Sequence, residues 1–312
     1  MTKLSFVIPV FNEAQSLEKL YQEIKTSVSA IGNYKLEIIF IDDGSTDNSL
    51  QAMKDLRARD YRIEIISFRK NLGKSVALSQ GFRKATGDIV VTLDADLQDN
   101  PSNLKNLIEK MEKGYDCVVG WKKYRQDPLS KTIPSKIFNM FVGICSNIPI
   151  HDFNSGLKIF KKEAIENLKL YGELHRFIPV LIAGAGFLVA EIPVTHRQRE
   201  YGVSKYGWQR FLKGFFDFIT VMFLSNFGQK PLHLFGVLGM FGIILGLIFG
   251  GYLSILHFQG HSIGTRPLLT LSVLLIISGL QIISTGLIAE MVVSKGRNEE
   301  KISIEYETKK RK

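Results

Sequence analysis

Short apolar runs alternate with segments of helical periodicity through the first part of the chain. The apolar runs cover residues 4–10, 36–41, 63–68, 89–93 and 117–120. Segments in which apolar residues recur every third or fourth position lie between them, at 14–31, 75–85 and 101–113. Apolar runs of this length predict buried strands, and their alternation with helices is typical of βαβ units. The pattern therefore predicts an α/β domain with a mostly parallel sheet over residues 1–205.

Two much longer apolar runs follow, at residues 234–256 and 267–289. Neither contains an Asp, Glu, Lys or Arg residue, and each exceeds the roughly 20 residues that cross a bilayer as a helix. We expect a two-helix transmembrane hairpin over residues 231–294. The alternative, a pair of buried core helices, is less consistent with runs of this length that lack a polar face.

Three glycines form a ridge in the first of these long runs. Gly242, Gly246 and Gly250 recur every fourth residue, and small residues at this spacing let two helices approach closely. The groove suits either the second helix of the hairpin or a second protomer. The sequence therefore leaves a homo-oligomer open.

The segment at 206–230 has the pattern of an amphipathic helix. At about 100° per residue, one face collects large apolar side chains, and Arg210, Lys213 and Asp217 lie opposite. The apolar face comprises Trp208, Phe211, Leu212, Phe215, Ile219 and Met222. Beside a membrane span, a helix of this kind is expected to lie in the bilayer interface. An ordinary amphipathic helix packed on the sheet is the alternative.

The distribution of basic residues indicates how the chain sits in a membrane. The 312 residues include 40 Lys and Arg against 30 Asp and Glu, a net charge of +10. Cations cluster outside the apolar runs and in a tail at 295–312, whereas the loop between the runs has a single Arg266. This placement suits the positive-inside rule and an anionic leaflet better than a nucleic acid partner. We expect an integral membrane protein, in a bacterial inner or plasma membrane, with its first domain and both termini in the cytosol.

The cysteines and the amino terminus also favour a cytosolic first domain. Cys117 and Cys145 are the only cysteines, so the sequence supports neither a disulfide framework nor a CxxC metal site. The first apolar run is interrupted by Pro9 and lacks the small-residue cleavage site of a signal peptide. We expect the first domain to stay in the reducing cytosol.

An acidic motif, Asp94-Ala95-Asp96, directly follows the fourth apolar run, and Gln98 lies two residues further on. Carboxylates spaced in this way at a strand end can share a hard divalent cation such as Mg²⁺ or Mn²⁺. Such a cation acts as a Lewis acid on a departing diphosphate. Because ligands bind beyond the carboxyl ends of the strands in open α/β sheets, the motif is the candidate site for a metal and a diphosphate.

Asp42 and Asp43 end the second apolar run and indicate a further ligand contact at the same sheet edge. Their carboxylates can accept hydrogen bonds from a nucleobase or from ribose hydroxyls. The surrounding Asp-Asp-Gly-Ser-Thr-Asp is also turn-rich, so a turn with a helix cap is the alternative. The nearby Leu-Gly-Lys-Ser at 72–75 resembles the end of a Walker A loop, but Phe68 stands where that motif needs glycine.

Two further polar segments are candidates for binding a second substrate. Residues 151–156 are turn-like, and Asp152 can either face a reaction centre or close an ordinary Asx-turn. Residues 196–205 place several cations beside Gly202. Fixed Arg and Lys groups can clamp phosphates, and a stretch that touches lipid headgroups is the alternative.

Five motifs occur in an order that resembles the inverting family 2 glycosyltransferases, whose catalytic domain has the GT-A fold. They are Val-Ile-Pro-Val-Phe-Asn-Glu at 7–13, Asp-Asp-Gly-Ser-Thr-Asp at 42–47, Asn-Leu-Gly at 71–73, the acidic segment with its proline at 94–101, and Arg-Glu-Tyr-Gly-Val-Ser-Lys at 199–205. The resemblance covers about residues 4–205 and is most specific for dolichol-phosphate mannose synthases and bacterial polyprenyl-phosphate glucosyltransferases. It implies a Rossmann-like, mostly parallel GT-A domain ahead of the membrane elements.

The resemblance implies roles for residues at matching positions. The nucleotide pocket would be lined by Pro9, Phe11, Glu13, Ile41 and Asp43, next to Asp42. The diphosphate and metal would be held by Asp94, Ala95 and Asp96, with Gln98 as a further metal ligand. The acceptor side would use Asp152, Arg199 and Lys205. One departure is the Gly-Trp-Lys-Lys at 120–123, where such enzymes usually have Gly-x-Arg; lysine keeps the charge but loses the bidentate fork.

The implied reaction transfers a hexose from a nucleotide sugar to a polyprenyl phosphate at the cytosolic membrane face, with inversion at the anomeric carbon. The hairpin favours UDP-glucose as the donor, and GDP-mannose is the alternative. A processive polysaccharide synthase would need more spans, and its Gln-x-x-Arg-Trp motif is absent from the sequence. A non-catalytic scaffold or flippase component is the alternative from another class, although two spans are few for a lipid path.

Overall fold

The computed structural model describes residues 1–123, 139–140, 142–143, 146, 148–197, 220, 223, 230–264 and 266–296. The chain divides into two compact units, Met1–Val221 and Met222–Lys312. Most of the predicted interfacial helix and of the basic tail lies outside the described residues, as do Arg199 and Lys205. These expectations, and the predicted domain boundaries, stay predictions.

The first unit is built on one seven-stranded sheet. The strands are β1 (Lys3–Val10), β2 (Lys35–Asp42), β3 (Ile63–Ser67), β4 (Ile89–Thr92), β5 (Cys117–Trp121), β6 (Lys158–Lys161) and β7 (Val189–Pro193). The described helices of this unit are α1 (Leu17–Ile31), α2 (Ser49–Arg59), α3 (Lys74–Lys84), α4 (Leu104–Met111), α5 (Lys162–Glu166) and α6 (Ile178–Gly184), with 3₁₀ turns at Pro101–Asn103 and Leu174–Phe177. All five predicted strands are present, each within one residue of its expected bounds.

The strand order is β3-β2-β1-β4-β6-β5-β7. Strands β1 to β4 pair in parallel, whereas β6 runs antiparallel to both of its neighbours, β4 and β5. Strand β7 pairs in parallel with β5 at the edge. The predicted α/β domain with a mostly parallel sheet is confirmed, and the reversal at β6 is a feature that the apolar pattern did not show.

The parallel half of the sheet buries side chains on both faces. In β1, Phe6 packs in one hydrophobic core with Leu20 of α1, and the adjacent Val7 packs in a second core with Ala77 of α3. Successive side chains of a strand point to opposite faces. Burial on both faces explains why these strands appear in the sequence as unbroken apolar runs rather than as alternating ones.

The loop after β1 differs from its predicted form. Helix α1 begins at Leu17, later than predicted, and Asn12 does not cap it. Asn12 has a φ of 55°, and its side-chain oxygen accepts the N–H of Thr46 at 2.7 Å. This bond ties the loop after β1 to the loop after β2, beyond the carboxyl ends of the strands.

The second unit contains two long apolar helices, α7 (Pro231–Phe258) and α8 (Pro267–Gly296). Both are long and apolar enough to cross a membrane, and their most apolar windows have mean hydropathies of 2.3 and 2.1. Only 11% and 17% of those windows are buried, and large apolar side chains such as Val237, Phe241 and Ile277 are exposed. This exposure disagrees with the alternative of two buried core helices.

Glycines let α7 and α8 approach each other closely. A Cβ placed on Gly239 would lie 2.5 Å from the Gly279 carbonyl oxygen, and one on Gly246 would lie 2.8 Å from the Ser272 carbonyl oxygen. Gly242 has more room, with its nearest neighbouring atom at 3.4 Å. The hairpin partner therefore occupies the predicted groove, and Gly239 with Gly246 makes the contact rather than the whole four-residue repeat.

Candidate active site

The predicted site residues of the described chain gather at the carboxyl edge of the parallel half of the sheet. Strands β1, β2 and β4 lie side by side, with Val10 opposite Asp42 and Val7 opposite Thr92. The strand ends and the loops that follow carry the predicted nucleotide contacts at 9–13, the acids at 42–43 and the motif at 94–96. Ligands bind at this edge in open α/β sheets.

The residues assigned to the nucleotide pocket differ in exposure. Pro9, Phe11 and Glu13 are partly exposed along the end of β1 and its loop. Ile41 is fully buried, and its side chain packs in the same core as Ala77 of α3. Ile41 would therefore meet a ligand through its backbone, and the nucleotide role of all four residues stays a prediction.

Asp42 and Asp43 are buried and hydrogen-bonded within the protein. The Asp42 carboxylate accepts the N–H of Ser45 at 2.9 Å and the hydroxyl of Ser67 at 2.8 Å. The Asp43 carboxylate accepts the N–H of Leu72 at 2.7 Å. Burial raises the pKa of Asp43, and its backbone donors offset only part of that increase. Both acids brace the surrounding loops, and their contact with a nucleotide stays a prediction.

The loop held by Asp43 sets the start of helix α3. A Cβ on Gly44 would lie 2.4 Å from the Lys70 carbonyl carbon, so glycine lets the loops after β2 and β3 touch. Gly73 has a φ of 93°, in the region that favours glycine. Lys74 follows as the first residue of α3. The Leu-Gly-Lys-Ser segment therefore positions a lysine at the sheet edge.

Lys74 reaches across to the acidic motif. Its Nζ lies 2.5 Å from Asp94 Oδ1, and the two side chains are 26% and 31% exposed. Burial raises the pKa of Asp94, but three nearby lysines, Lys74 foremost, outweigh burial and hold that pKa below its ordinary value. Asp94 is therefore ionised at neutral pH, as a ligand of a cation must be.

The chain turns sharply at the second acid of the motif. Asp96 is 8% exposed, and its carboxylate accepts the N–H of Gln98 at 3.2 Å. Leu97 between them has a φ of 62°, which is strained for a residue with a Cβ. Its fully buried side chain holds the turn in the core. Ala95 is buried in the same core, so its backbone is the part that a ligand would meet.

The donor set of the motif fits a divalent cation that is shared with a substrate. Mg²⁺ is commonly held by one or two carboxylates together with substrate phosphates. Asp94 and Asp96 offer two carboxylates, and Gln98 follows in the same turn as the predicted further ligand. Within the described ranges, no three His, Cys, Asp or Glu side chains form a closed metal cluster. The residues therefore fit a cation whose coordination a diphosphate completes.

A buried ion pair lies next to the motif. Asp99 has no exposed surface, and its Oδ1 lies 2.8 Å from Lys122 Nζ. Burial lowers the pKa of Lys122, but Asp99 and the neighbouring acids more than compensate, so its pKa lies above the ordinary value. Lys122 is the residue at which the chain departs from the Gly-x-Arg pattern, and it supplies a fixed positive charge there.

Gly156 lets the turn before β6 lie against Asp94 and Asp99. A Cβ at this position would lie 2.4 Å from Asp99 Oδ2 and 2.7 Å from Asp94 Oδ2. The Gly156 carbonyl oxygen accepts the hydroxyl of Thr92, at the end of β4, at 2.9 Å. Only a residue without a side chain lets this turn close on the acidic motif.

Asp152 and Lys158 lie in the same charged region. They are 1% and 4% exposed, and Lys158 Nζ donates a hydrogen bond to the Ser155 carbonyl oxygen. The pKa of Lys158 is lowered to about 8, first by burial and then by Lys74, while Asp152 and Asp94 oppose the shift. Asp152 is therefore within electrostatic range of the lysines around the motif. Its predicted role beside the acceptor stays a proposal.

These groups form what we name the acid–lysine cluster, defined as Asp94, Asp99, Asp152, Lys74, Lys122 and Lys158. The sequence predicts two of its acids, Asp94 and Asp152, as site residues, and it predicts no role for its lysines. In the sequence, Lys74 belongs to the Walker-like segment at 72–75, and Lys122 stands where the chain departs from the Gly-x-Arg pattern. Neither position indicates a role at the site. No sequence pattern places Lys158 at the site, because its position depends on how the antiparallel strand β6 enters the sheet.

A narrow cleft lies beside the acid–lysine cluster. Its lining includes Lys74, Asp94, Asn154, Lys158 and His175. Ser75 fixes one wall, because its hydroxyl accepts the backbone N–H of His175 at 3.0 Å and lies 3.0 Å from His175 Nδ1. The cleft therefore borders the acid that Lys74 holds.

An aromatic pair supports the turn that contains Asp152. The rings of Trp121 and His151 stack with centroids 4.4 Å apart and planes inclined by 17°. Glu191 of β7 accepts the backbone N–H of His151 at 2.7 Å and also contacts its Nδ1. These contacts hold His151, the residue that precedes Asp152. They come from β5 and β7, two strands in which the sequence predicted no site residue.

Known proteins resemble this chain in sequence and in fold. The family described as Glycosyl transferase family 2 matches residues 5–169. A dodecaprenyl-phosphate galacturonate synthase from Rhizobium johnstonii is 37% identical over 296 residues, covering 93% of this chain and 87% of that protein. An undecaprenyl-phosphate 4-deoxy-4-formamido-L-arabinose transferase from Pseudomonas fluorescens is 33% identical over 290 residues, covering 92% of this chain and 83% of that protein.

One solved structure illustrates the shared fold. A mannosyltransferase from Pyrobaculum calidifontis, in complex with GDP-Man and Mn²⁺, aligns with a TM-score of 0.50 at 19% identity. The alignment covers 96% of this chain and 76% of that chain. Identity at this level shows the fold alone. It agrees with the predicted GT-A architecture, a mostly parallel α/β sheet followed by two apolar helices.

Proposed function

Because the chain belongs to glycosyl transferase family 2, we propose that it transfers a sugar from a nucleotide donor to a polyprenyl phosphate. The relatives that match it over nearly its whole length are transferases or synthases of polyprenyl-phosphate sugars. The observation that carries the proposal is the acid–lysine cluster, which surrounds an ionised Asp94 at the ligand-binding edge of the sheet and opens into a cleft.

The acidic motif serves the leaving-group half of the reaction. An oxygen of the acceptor phosphate attacks the anomeric carbon, and the bond from that carbon to the donor diphosphate breaks on the opposite face, with inversion. Asp94 and Asp96 would hold Mg²⁺ or Mn²⁺, with Gln98 nearby, and the bound cation supplies positive charge to the leaving diphosphate. The turn at Leu97 follows Asp96, and Gly156 lies directly against Asp94.

The acceptor half depends on positioning more than on proton removal. The acceptor phosphate is already anionic at neutral pH, so it needs no strong base. Asp152 is proposed to orient the acceptor side of the site, where the stacked Trp121 and His151 hold its turn. Arg199 and Lys205, which lie outside the described residues, are proposed to grip phosphates of the donor or acceptor.

The proposal also concerns the identity of the transferred sugar and of the nucleotide base of the donor. UDP-glucose is the donor that the resemblance favours, with GDP-mannose as the alternative. The relatives carry other sugars in their names, galacturonate and a formamido-arabinose, so related chains differ in the sugar. A donor panel must therefore include nucleotide-linked galacturonate beside glucose and mannose.

We further propose that α7 and α8 cross a membrane and that the first unit works on the cytosolic side. The supporting observations are the length, apolar composition and exposure of the two helices. The loop between them has one Lys or Arg residue, Arg266, whereas the flanking segments are basic. A polyprenyl phosphate is itself anchored in the bilayer, which is consistent with an enzyme that is anchored there too.

The test is transfer of a radiolabelled sugar from each nucleotide sugar to undecaprenyl phosphate by the purified full-length protein. We expect one donor to give a lipid-linked, acid-labile product. Asp55→Asn on the exposed surface of α2, where Asp55 accepts a hydrogen bond from Gln51 at 2.8 Å, should leave the rate unchanged. A protein that binds nucleotide but labels no lipid from any donor would contradict the proposal and favour a scaffold.

A further inference from the structure

Lys74 holds the carboxylate that a metal ion would need. Its Nζ lies 2.5 Å from Asp94 Oδ1, and Asp94 is one of the two acids proposed to bind Mg²⁺ or Mn²⁺. Two cations on one carboxylate repel each other strongly, because the dielectric constant near a protein is well below that of bulk water. The ammonium group and the metal ion therefore compete for Asp94.

Of the three lysines in the acid–lysine cluster, Lys74 is best placed to leave its partner. Its side chain is 26% exposed, against 11% for Lys122, whose partner Asp99 is fully buried. Lys158 is 4% exposed and donates to the Ser155 carbonyl oxygen. Because Lys74 also lines the cleft, its ammonium group would stay at the cleft after it releases Asp94.

The start of helix α3 favours an anion beside the released ammonium group. Lys74 is the first of the 11 residues of this helix. The first backbone N–H groups of a helix and its dipole attract phosphates. A diphosphate bound to a metal ion at Asp94 would therefore lie next to both the lysine and the helix start.

We propose that Lys74 is a shared binding residue, which holds Asp94 before a divalent cation binds and contacts the donor diphosphate afterwards. The inference rests on the proposed function, since it takes the donor to be a nucleoside diphosphate sugar. It predicts that Lys74 weakens the binding of metal alone and strengthens the binding of metal together with nucleotide. By linkage, metal and nucleotide then raise each other's affinity by the same factor.

The test measures Mn²⁺ binding to the full-length protein by electron paramagnetic resonance, with no nucleotide, with UDP and with GDP. In Lys74→Met we expect the Kd for Mn²⁺ alone to fall by at least about fivefold, the lower end of common coupling effects. The gain in Mn²⁺ affinity that the nucleotide causes should shrink by a similar factor. Methionine keeps most of the length and the apolar stem of the side chain while it removes the charge.

Lys84 provides a matched control on the same helix. Its side chain is 53% exposed and pairs with Glu64 at 3.0 Å, at the other end of α3, so Lys84→Met should change neither affinity. Lys74→Arg keeps a cation beside Asp94 and should keep the weak binding of Mn²⁺ alone. Thermal unfolding of each variant shows whether it is folded under the conditions of the binding measurement.

The outcomes distinguish a failure of this inference alone from a failure of the proposed function. An unchanged or higher Kd for Mn²⁺ alone in folded Lys74→Met would overturn the inference, as would wild-type protein that binds no Mn²⁺ either alone or together with a nucleotide. If nucleotide strengthens Mn²⁺ binding equally in the wild type and in Lys74→Met, the proposed donor class stands and the shared role of Lys74 fails. If neither UDP nor GDP affects Mn²⁺ binding in the wild type, the proposed donor class fails and the shared role fails with it.

Discussion

The sheet holds its acids differently at its amino edge, where the parallel strands begin, and at its carboxyl edge, where they end. At the amino edge, Glu37 near the start of β2 is 7% exposed and accepts hydrogen bonds from a partly exposed lysine and from two neighbouring residues that carry no charge. Lys3 Nζ lies at 2.6 Å, Thr86 donates its N–H at 3.0 Å and its hydroxyl at 2.7 Å, and Ser5 donates its hydroxyl. Burial raises the pKa of Glu37, but these donors outweigh burial and lower it to about 2.

At the carboxyl edge, the acids of the acid–lysine cluster are held by lysines beside a cleft. Lys74 and Lys3 are exposed to a similar degree, 26% and 33%, but the Asp94 side chain is 31% exposed whereas that of Glu37 is 9% exposed. An acid that has several donors and little exposed surface stabilises the fold, because a ligand cannot reach it. An acid held by an exchangeable cation can accept a metal ion in its place. The predictions below test this difference, from the largest expected effect to the smallest.

Removal of an acid of the motif should abolish transfer and leave the fold intact. For Asp96→Ala we expect the rate of sugar transfer to fall by roughly 10²- to 10³-fold or more, the cost of losing one electrostatic contact to a leaving group. The midpoint of thermal unfolding should change little. Initial rates with radiolabelled donor measure the loss of transfer. An unchanged rate would contradict the assignment of the metal site.

Gly156 should matter to both activity and stability, because it lies against Asp94 and Asp99. In Gly156→Ala the new Cβ would lie 2.4 Å from Asp99 Oδ2 and 2.7 Å from Asp94 Oδ2. We expect transfer to fall by about tenfold or more and the free energy of unfolding to fall by about 2 kcal/mol, as for other overpacked sites.

Gly143 offers the matched control for this substitution. A Cβ there would meet its nearest atoms at 3.7 Å, an ordinary contact, so Gly143→Ala should leave the transfer rate unchanged. Equal effects of the two substitutions would show that Gly156 has no special relation to the motif.

The acid of the amino edge should affect stability alone. For Glu37→Gln we expect the free energy of unfolding at neutral pH to fall by about 2 kcal/mol, since hydrogen bonds to a charged group are lost. The folded pKa of about 2 lies below the ordinary 4.5, so this stabilisation is present above pH 4.5 and is lost as pH falls through 2. Urea unfolding at several pH values should show wild type and variant converging in acid, with the transfer rate at neutral pH unaffected.

The carboxyl edge should respond to alkaline pH instead. The folded pKa of Lys158 is lowered to about 8 from the ordinary 10.5, so between these values the unfolded chain binds more protons than the folded one. Stability should therefore rise with pH across this window, by an amount on the order of 1 kcal/mol. Lys158→Met removes the titrating group and should flatten the rise, and a slope equal to that of the wild type would show that Lys158 is not its source.

The parallel half of the sheet could be predicted from the sequence because two-sided burial leaves a local pattern. Strands such as β1 and β2 appear as unbroken apolar runs, and the motif at 94–96 is recognisable because it follows such a run. The two apolar helices were predictable for a similar reason, since a stretch without charged residues is visible without any knowledge of its partner.

The antiparallel half could not be predicted, because its contacts depend on the path of the chain. Strand β6 is four residues long and has lysine at both ends, so nothing in its composition marks Lys158 as buried. Gly156 and Lys122 reach the motif only because β6 enters the sheet between β4 and β5. Half of the candidate site therefore follows from topology, whereas the motif itself follows from local sequence.

The central claim is that the acidic motif binds a divalent cation during sugar transfer to a polyprenyl phosphate. The most direct measurement is the rate of labelled product formation by the purified full-length protein after EDTA treatment and after Mn²⁺ or Mg²⁺ is restored. We expect wild-type activity to disappear with the chelator and to return with the metal, while Asp96→Ala stays inactive at every metal concentration. Wild-type transfer that continues at full rate in excess EDTA would contradict the account.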